Sequence, residues 1–272
     1  MQDEGAPWLV ARTVIERLAG GIPVAALGIR SSRTADIARL ALASGHQAIW
    51  VDLEHSTMSI DTAASICAAA MDIGVAPFAR IPEREYGVIG RLLDGGVLGI
   101  IVPRVETVEQ ARDVLDACRF PPFGHRSAVA TLAHVGFQRW PTERFNRSMN
   151  EATVVKILIE SPRGIENLEA IAGLPGVDLI GIGTNDLSAE LGVAGEYAHP
   201  SVRQAHEAAI GACRRVNKPL AIGGIADLAY NAELIRLGAA PFLFTGIDTD
   251  MLLGAARDRV VRALSSLQHQ SP

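Results

Sequence analysis

The sequence has few cysteines, no long apolar run and no basic stretch, and each absence excludes a class of protein. Its three cysteines, Cys67, Cys118 and Cys213, are far apart in apolar, helix-like surroundings. This argues against a disulfide framework or a CxxC metal site and favours a reduced, cytoplasmic setting. No run reaches the roughly 18 apolar residues of a membrane span, and the amino terminus lacks the pattern of a signal peptide. A formal net charge of -5 without a basic cluster argues against nucleic acid and favours small-molecule partners.

Short apolar runs alternate with helical segments along most of the chain. The 272 residues are 49% hydrophobic, which is enough for a large buried core. Eight runs are predicted to be strands, at residues 24–29, 48–53, 76–79, 98–102, 154–159, 179–182, 220–222 and 242–245. The gaps between them hold apolar residues at three- and four-residue spacing, which predicts helices, for example at residues 34–44, 60–73, 86–94, 108–118, 165–172 and 226–237.

This alternation predicts an α/β fold, a closed (β/α)8 barrel, although an open parallel sheet has the same pattern. No linker rich in proline, glycine or serine and no internal repeat divides the chain, so residues 1–272 are expected to form one domain. The one long insertion, residues 120–151, contains PPFGHRS and an aromatic-bearing polar stretch. Loops of that length are usually functional, and two interpretations stay open: an active-site lid or an arm that packs against another subunit.

Polar residues that packing does not explain follow five of the eight apolar runs. They are Asp52, Glu54 and His55 after the second run, Arg80 after the third, Arg104 after the fourth, Glu160 after the fifth and Asp186 after the sixth. Because the carboxyl ends of barrel strands form a ring, residues far apart in sequence face one pocket. We therefore expect these side chains to converge at one mouth.

Glu160 and Asp186 each follow a short apolar run, and a helical segment with a capping signature lies between them. Two oxygen donors without a nearby cysteine or a closely spaced histidine pair favour a hard ion such as Mg2+ or Mn2+ over zinc. The alternative for each acid is structural, since acids favour helix amino termini. The two acids together favour the metal site.

His55 and Arg80 are the candidates for acid–base and charge-stabilising roles. An imidazole directly beyond an apolar strand can serve as a base near neutral pH, although many histidines in such positions are solvated loop residues. The guanidinium of Arg80 is expected to point into the mouth, where it can bind a carboxylate or stabilise an enolate. Its alternative is a salt bridge with Glu83, Glu85 or Asp94.

Other motifs carry less weight. Backbone amides in GIGTND can hold an anion, but the Walker lysine and the spacing of a dinucleotide site are missing. Asp248 and Thr249 are interpreted as ordinary helix caps. Lys156 and Lys218 are the only lysines of the chain, and Lys156 begins a strand rather than ending one. Covalent catalysis through an amine is therefore not favoured.

With these residues in hand, the chain resembles the HpcH/HpaI aldolase family, the metal-dependent class II pyruvate aldolases. The similarity runs from about residue 28 to residue 253. Its motifs are specific in combination: VDLEH, FAR, RLLDGG, IVPRVET, RFPPFGHR, ILIES and GTNDLSAELG. The resemblance implies a (β/α)8 barrel of the phosphoenolpyruvate/pyruvate type and a homo-oligomer, a hexamer whose subunits exchange the last helix.

The resemblance also implies a role for each matching residue. Glu160 and Asp186 match the metal ligands, and Asp52 and Glu54 would hold metal-bound water. His55 matches the catalytic base, Asp94 matches the acid that raises the basicity of that histidine, and Arg80 matches the arginine that stabilises the transition state. Backbone amides around Asn185 and Asp186 would hold the substrate carboxylate.

The reaction implied is cleavage of a 4-hydroxy-2-oxo acid into pyruvate and an aldehyde. The 2-oxo acid would chelate Mg2+ or Mn2+, with Co2+ as a further candidate, which stabilises the enolate. His55 would remove the proton of the C4 hydroxyl. Two alternatives remain: a related lyase or decarboxylase acting on oxaloacetate or an acyl-CoA, and a non-catalytic barrel that binds a metal and a 2-oxo acid.

Four features depart from the family pattern. Leu158 stands where the family commonly has glutamine, GTND stands where it often has GPxD, Ser127 stands where it often has glycine, and Arg104 replaces a residue that is usually apolar. The sequence leaves two interpretations of Arg104 open: it holds a second carboxylate of the substrate, or it pairs with Glu106. These departures concern the specificity for the aldehyde, while the metal ligands and the base are retained.

Overall fold

Eight parallel strands form the centre of the protein. The structure is a computed structural model, and it describes residues 6–129 and 131–268. The strands are β1 Val24–Ile29, β2 Ala48–Asp52, β3 Ala76–Arg80, β4 Gly99–Val102, β5 Val154–Ile159, β6 Leu179–Gly183, β7 Leu220–Gly223 and β8 Phe242–Ile247. Their order around the sheet is β7-β6-β5-β4-β3-β2-β1-β8. The predicted (β/α)8 barrel is confirmed, and no strand boundary differs from the prediction by more than two residues.

Helices alternate with these strands around the outside of the barrel. They are α1 Val10–Ala19, α2 Asp36–Ala43, α3 Ile60–Asp72, α4 Ile89–Asp94, α5 Val108–Cys118, α6 Thr142–Ala152, α7 Pro162–Ala172, α8 Thr184–Glu190, α9 Pro200–Arg215, α10 Leu228–Leu237 and α11 Asp248–Gln268. Short 3-10 turns occur at Pro7–Leu9, Tyr86–Val88 and Ala133–Val135. Two helices were not predicted from the sequence: α1, which precedes β1, and α6, which lies in the long insertion.

The barrel is nearly closed, with its seam between β7 and β8. Hydrogen-bonded ladders join the other neighbouring strands. At the seam, the ring of Phe244 lies against Gly223, where a Cβ would approach the ring to 3.3 Å. Asp248 accepts hydrogen bonds from the backbone amides of Arg30 and Ser32 at 2.9 and 2.7 Å. Asp248 is thus more than the ordinary helix cap that the sequence suggested, because it ties β8 to the loop after β1.

The long insertion packs against α1 at the amino-terminal edge of the barrel. Trp140 makes an edge-to-face contact with Trp8, with ring centroids 5.3 Å apart, and Phe145 on α6 lies 6.1 Å from Phe120. Helix α6 leads directly into the first residue of β5. These residues therefore lie away from the carboxyl edge, where a lid would close. The other interpretation, a contact with another subunit, stays a prediction.

Helix α11 leaves its apolar residues in solvent. Leu252 is 72% exposed, and the same is true in varying degree of Leu253, Val260, Val261, Leu264 and Leu267. On the barrel itself, Leu40 of α2 is 62% exposed and Leu237 of α10 is also exposed. In a (β/α)8 barrel these two helices flank the position of the eighth helix. That position over β8 is therefore uncovered in a single chain.

Two further observations concern the compartment. Cys67, Cys118 and Cys213 are buried free thiols. Within residues 6–129 and 131–268, no helix combines the length and the apolar character needed to cross a membrane.

Candidate active site

A cavity of about 400 Å3 opens at the carboxyl ends of the strands. Its polar lining includes Arg80, Glu160, Asn185 and Asp186, which come from β3, from the loop after β5 and from α8. Because these residues each follow a strand of the same barrel, parallel pairing alone brings them to one edge. Of the residues expected to converge at one mouth, Arg80, Glu160 and Asp186 line this cavity.

The β2–β3 side of the mouth is held by an ion-pair cluster. Asp52 is fully buried, and Arg80 donates to both of its carboxylate oxygens, at 2.9 and 2.6 Å. Arg30 donates to the same carboxylate at 2.6 Å, and Arg80 also lies 3.1 Å from Glu54. Burial alone would raise the pKa of Asp52, but the two arginines outweigh it and lower that pKa. Arg80 is therefore fixed by Asp52 and Glu54, rather than by the alternative partners that the sequence suggested.

On the opposite side, Glu160 is buried without a cationic partner. It is 4% exposed, and it accepts a hydrogen bond of 2.9 Å from the backbone amide of Arg104. Gly183 on β6 leaves room for the carboxylate, since a Cβ there would lie 2.2 Å from Oε1. Burial raises the pKa of Glu160 to about 7, and the amide of Arg104 offsets this only in part. Among the described residues, no arginine or lysine forms an ion pair with Glu160.

Asp186 lies in the first turn of α8 and faces the same cavity. Its Oδ1 accepts a hydrogen bond of 2.8 Å from the guanidinium of Arg104, which also lies 3.7 Å from Glu190. The alternative pairing of Arg104 with Glu106 is wrong, because the left-handed backbone of Arg104, at φ 52°, places its side chain against α8. Glu106 instead accepts a hydrogen bond of 2.6 Å from the hydroxyl of Ser161.

The donor chemistry of this side fits a hard divalent ion. Arg104 bonds to both acids, through its backbone amide to Glu160 and through its side chain to Asp186. Both acids line the same cavity, and the charge of Asp186 contributes to the raised pKa of Glu160. In the described part of the chain, no group of three or more histidine, cysteine or acidic side chains is arranged to hold a metal. A site with two carboxylates suits Mg2+ or Mn2+, which keep water ligands and take oxygens from a substrate.

Two predicted catalytic residues lie outside the cavity lining. His55 follows β2 at the carboxyl edge; its side chain is 52% exposed, and Nε2 lies 3.8 Å from Glu54. Asp94 ends α4, just before β4, and accepts a hydrogen bond of 2.7 Å from Arg126. A helix that precedes a barrel strand ends at the amino-terminal edge. Within one chain, therefore, His55 and Asp94 lie at opposite ends of the barrel.

Two basic residues of the cavity were not among the site residues predicted from the sequence. Arg30 is the first residue after β1 and braces Asp52, as described above. Lys156, in β5, also lines the cavity. The signal for Lys156 was its even spacing from Glu160, because alternate residues of a strand share a face. No comparable pattern marked Arg30, apart from its place after a strand.

Comparisons with known proteins agree with this geometry. The model of the HpcH/HpaI aldolase/citrate lyase family matches residues 30–255. The chain is 37% identical over 238 residues to the 4-hydroxy-4-methyl-2-oxoglutarate aldolase tasA of Hapsidospora irregularis, a match that covers 85% of this chain and 87% of that protein. It is 32% identical over 242 residues to a 2-keto-3-deoxy-L-rhamnonate aldolase of Salmonella gallinarum, covering 89% of each.

The fold gives the same result. The crystal structure of an HpcH/HpaI aldolase from Desulfitobacterium hafniense superposes with a TM-score of 0.83, covering 94% of this chain and 96% of that one at 24% identity. The match to the family model includes Asp52, Arg80, Glu160 and Asp186. The chain therefore belongs to the HpcH/HpaI aldolase/citrate lyase family of carbon–carbon lyases, as its motifs predicted.

Proposed function

We propose that this protein cleaves a 4-hydroxy-2-oxo acid into pyruvate and an aldehyde, with a divalent ion held by Glu160 and Asp186. The observation that carries the proposal is the pair of neighbouring carboxylates facing the same cavity as Arg80. Mg2+ and Mn2+ are the preferred ions, and Co2+ is a further candidate. An ion held by these two residues would supply positive charge to the bound 2-oxo acid and would lower the energy of its enolate.

Arg80 places a second positive charge at the cavity. Its guanidinium is oriented by Asp52 and Glu54, so no reorganisation is needed when negative charge develops on the substrate. Asn185 and Asp186 bind the substrate at the rim of the cavity. The role of Asp52 and Glu54 in this proposal is to position Arg80 as well as the water around the ion.

His55 is the proposed base that takes the proton of the C4 hydroxyl. The loop that carries it is fixed by Asp52, whose Oδ1 accepts a hydrogen bond of 3.2 Å from the backbone amide of His55. Its exposed imidazole can exchange protons with solvent between turnovers. Asp94 is proposed to raise the basicity of His55, and the single-chain geometry requires that this contact come from another subunit.

A homo-oligomer with an exchanged α11 accounts for two sets of exposed apolar residues, those on α11 and those on α2 and α10. The α11 helix of one copy would cover β8 of another between α2 and α10, where Leu40 and Leu237 are exposed. A hexamer is the expected assembly. Sedimentation of the full chain against a variant with Leu253→Asp and Leu264→Asp tests it: the variant should sediment as a smaller species, and an unchanged assembly would contradict the exchange.

The substrate class is tested by turnover. Metal-stripped protein is assayed with Mg2+, Mn2+ or Co2+ against 4-hydroxy-4-methyl-2-oxoglutarate and 2-keto-3-deoxy-L-rhamnonate, the substrates named for two relatives. Pyruvate release that stops with EDTA and with Glu160→Ala supports the proposal. Turnover that persists in EDTA would refute it.

The alternatives have their own readouts. Oxaloacetate consumption without cleavage of any 4-hydroxy-2-oxo acid would identify a decarboxylase of the same family. Exchange of the methyl protons of pyruvate in deuterated buffer reports enolate formation without an aldehyde. Absence of that exchange, together with measurable pyruvate binding, would identify a non-catalytic barrel. The cytoplasmic setting inferred from the sequence stays a prediction.

A further inference from the structure

Lys156 lies on the inner face of β5, at the floor of the cavity. It is 1% exposed, and it shares that face with Leu158 and Glu160, because alternate residues of a strand point to the same side. Glu160 is four residues nearer the carboxyl edge. The lysine amine therefore lies deeper in the barrel than the two acids and still borders the same cavity.

The amine of Lys156 has no hydrogen-bond acceptor in the described part of the chain. Nζ lies 4.3 Å from the ring centroid of Phe244 and 4.8 Å from that of Phe242. These ring faces attract a cation but leave its N–H donors unused. Lys218, the other lysine, instead donates a hydrogen bond to the carbonyl of Val177. A buried donor without an acceptor costs free energy unless a ligand supplies one.

The other basic side chains of the cavity are already occupied. Arg80 is bonded to Asp52 and lies against Glu54, and Arg30 is bonded to Asp52. Of the three basic residues that line the cavity, Lys156 alone has neither a hydrogen bond nor an ion pair among the described residues, since Arg30 and Arg80 are both paired with Asp52. An anionic oxygen that reaches the floor of the cavity therefore meets the unpaired amine of Lys156.

The barrel also keeps space for this side chain. Gly181 of β6 pairs with Leu158 in the parallel ladder, and a Cβ on Gly181 would lie 2.8 Å from Cε and 3.6 Å from Nζ of Lys156. A side chain at position 181 would therefore displace the lysine. Burial, reinforced by the charge of Arg80 and opposed by Glu160, lowers the pKa of Lys156 to about 7. Both the ammonium and the neutral amine carry N–H donors.

We infer that the amine of Lys156 is a substrate-binding group that donates hydrogen bonds to the carboxylate of the 2-oxo acid from the floor of the cavity. It complements Asn185 and Asp186, which approach the cavity from the rim. The inference rests on the proposed function, because the ligand is the 2-oxo acid of that reaction. Binding is non-covalent: no bond to the substrate carbon is formed.

The presence of only two lysines makes a direct test practicable. Full-length protein labelled with 15N at the lysine side chains gives two amine signals, and Lys156→Met assigns them. Titration with pyruvate in the presence of Mg2+ should shift the Lys156 signal and leave the Lys218 signal in place. An unshifted Lys156 signal at saturating pyruvate would overturn the inference. If Lys156→Met does not fold, Lys218→Met gives the same assignment.

Calorimetry separates a binding role from a structural one. Lys156→Met should weaken pyruvate binding at least about 10-fold, since a charge-assisted hydrogen bond is lost. Mg2+ binding in the absence of pyruvate should not weaken, because the variant removes a positive charge that acts on Glu160. Binding of pyruvamide, in which an uncharged amide replaces the carboxylate, should change far less. Lys218→Met is the matched control. A folded Lys156→Met variant with wild-type affinity for pyruvate would refute the role.

Two further outcomes separate this inference from the proposed function. A shift of the Lys156 signal without any aldolase turnover supports the inference and refutes the proposed reaction. Turnover without a shift does the reverse. Borohydride treatment with pyruvate that leaves a secondary amine on Lys156 would also overturn the inference, because the contact would then be covalent.

Discussion

The two sides of the barrel mouth carry acids of similar burial in opposite surroundings. On the β2–β3 side, Asp52 is fully buried and accepts hydrogen bonds from Arg30 and Arg80. On the β5–β6 side, Glu160 is as deeply buried but accepts its hydrogen bond from a backbone amide. Burial tends to raise both pKa values; the arginines reverse this at Asp52, and the pKa of Glu160 rises to about 7.

The difference lies in where the positive charge comes from. A buried carboxylate costs free energy unless a cation or several donors balance it. The chain supplies that balance at Asp52, which makes the β2–β3 side a preformed support for Arg80. At Glu160, none of the described residues forms a balancing ion pair. Such a cost in free energy is usually retained at a functional site. The β5–β6 side is therefore built to receive a cation from outside.

The largest effect on stability is expected from substitution of Asp52, the acid whose charge is balanced by arginines. Asp52→Asn leaves the guanidinium groups of Arg30 and Arg80 without their shared carboxylate, which should lower the free energy of unfolding by about 3–5 kcal/mol. Urea unfolding of the metal-free protein measures it. Asp36→Asn is the control, because Asp36 forms an exposed pair with Arg39 and should change stability by about 0.5 kcal/mol or less. A similar small loss for Asp52→Asn would break the comparison.

Lys156 gives the next largest effect, through pH. Its pKa is about 7 in the folded chain, against an ordinary value of 10.5. At pH values between these two pKa values, Lys156 is largely protonated in the unfolded chain and largely neutral in the folded chain. The unfolded chain therefore binds more protons, and the stability of the wild-type protein should rise as pH increases from 7 toward 10. Lys156→Met removes this dependence and should be more stable at pH 7, by up to about 4 kcal/mol.

Thermal and urea unfolding at pH 7, 8.5 and 10 follow this difference, which should shrink as pH rises. Lys218→Met is the control, and it should keep the part of the pH dependence that belongs to Lys156. A Lys156→Met variant with a constant stability difference across this range would show that the buried amine is not desolvated.

Substitution of Glu160 should change the stability of the metal-free protein in the opposite direction to substitution of Asp52. Glu160→Gln keeps the shape of the side chain and removes the carboxylate that burial disfavours, so the metal-free protein should gain about 1 kcal/mol of stability. Added Mg2+ should stabilise the wild-type protein but not this variant. A loss of stability in metal-free Glu160→Gln would place it in the same class as Asp52.

Arg104 should give the smallest effect. Its guanidinium balances Asp186 in the metal-free chain, and both side chains are more than a third exposed. Arg104→Gln removes a competitor of the ion and should tighten Mn2+ binding only about 2- to 5-fold, the size expected of a solvent-screened pair. Electron paramagnetic resonance of free Mn2+ measures this. Weaker Mn2+ binding would show that Arg104 supports the site rather than competes for it.

Much of the fold was predictable because each strand is a short, continuous apolar run, as expected for a parallel sheet covered on both faces. The same reasoning placed Glu160 and Asp186 at one edge, since each follows such a run. Helix α11 could not be placed this way. Its apolar stripe is typical of a core helix, yet the structure leaves Leu252 72% exposed.

The contacts made by the site residues were less predictable. Glu106 is the acidic residue nearest to Arg104 in sequence, but the left-handed backbone of Arg104 turns its side chain toward Asp186. Lys156 could have been found from its alternation with Glu160. Its ring partners on β8 come from the far end of the chain, and local patterns carry no information about them.

Binding of Mn2+ to metal-stripped protein tests the central claim most directly, with Glu160→Gln compared against Glu106→Gln. Glu106 is a neighbouring carboxylate that is paired with the hydroxyl of Ser161 and lies 3.9 Å from the guanidinium of Arg163. The wild-type chain and Glu106→Gln should bind one Mn2+ with similar affinity, whereas Glu160→Gln should bind it at least about 100-fold more weakly. Wild-type affinity for Mn2+ in a folded Glu160→Gln variant would contradict the account.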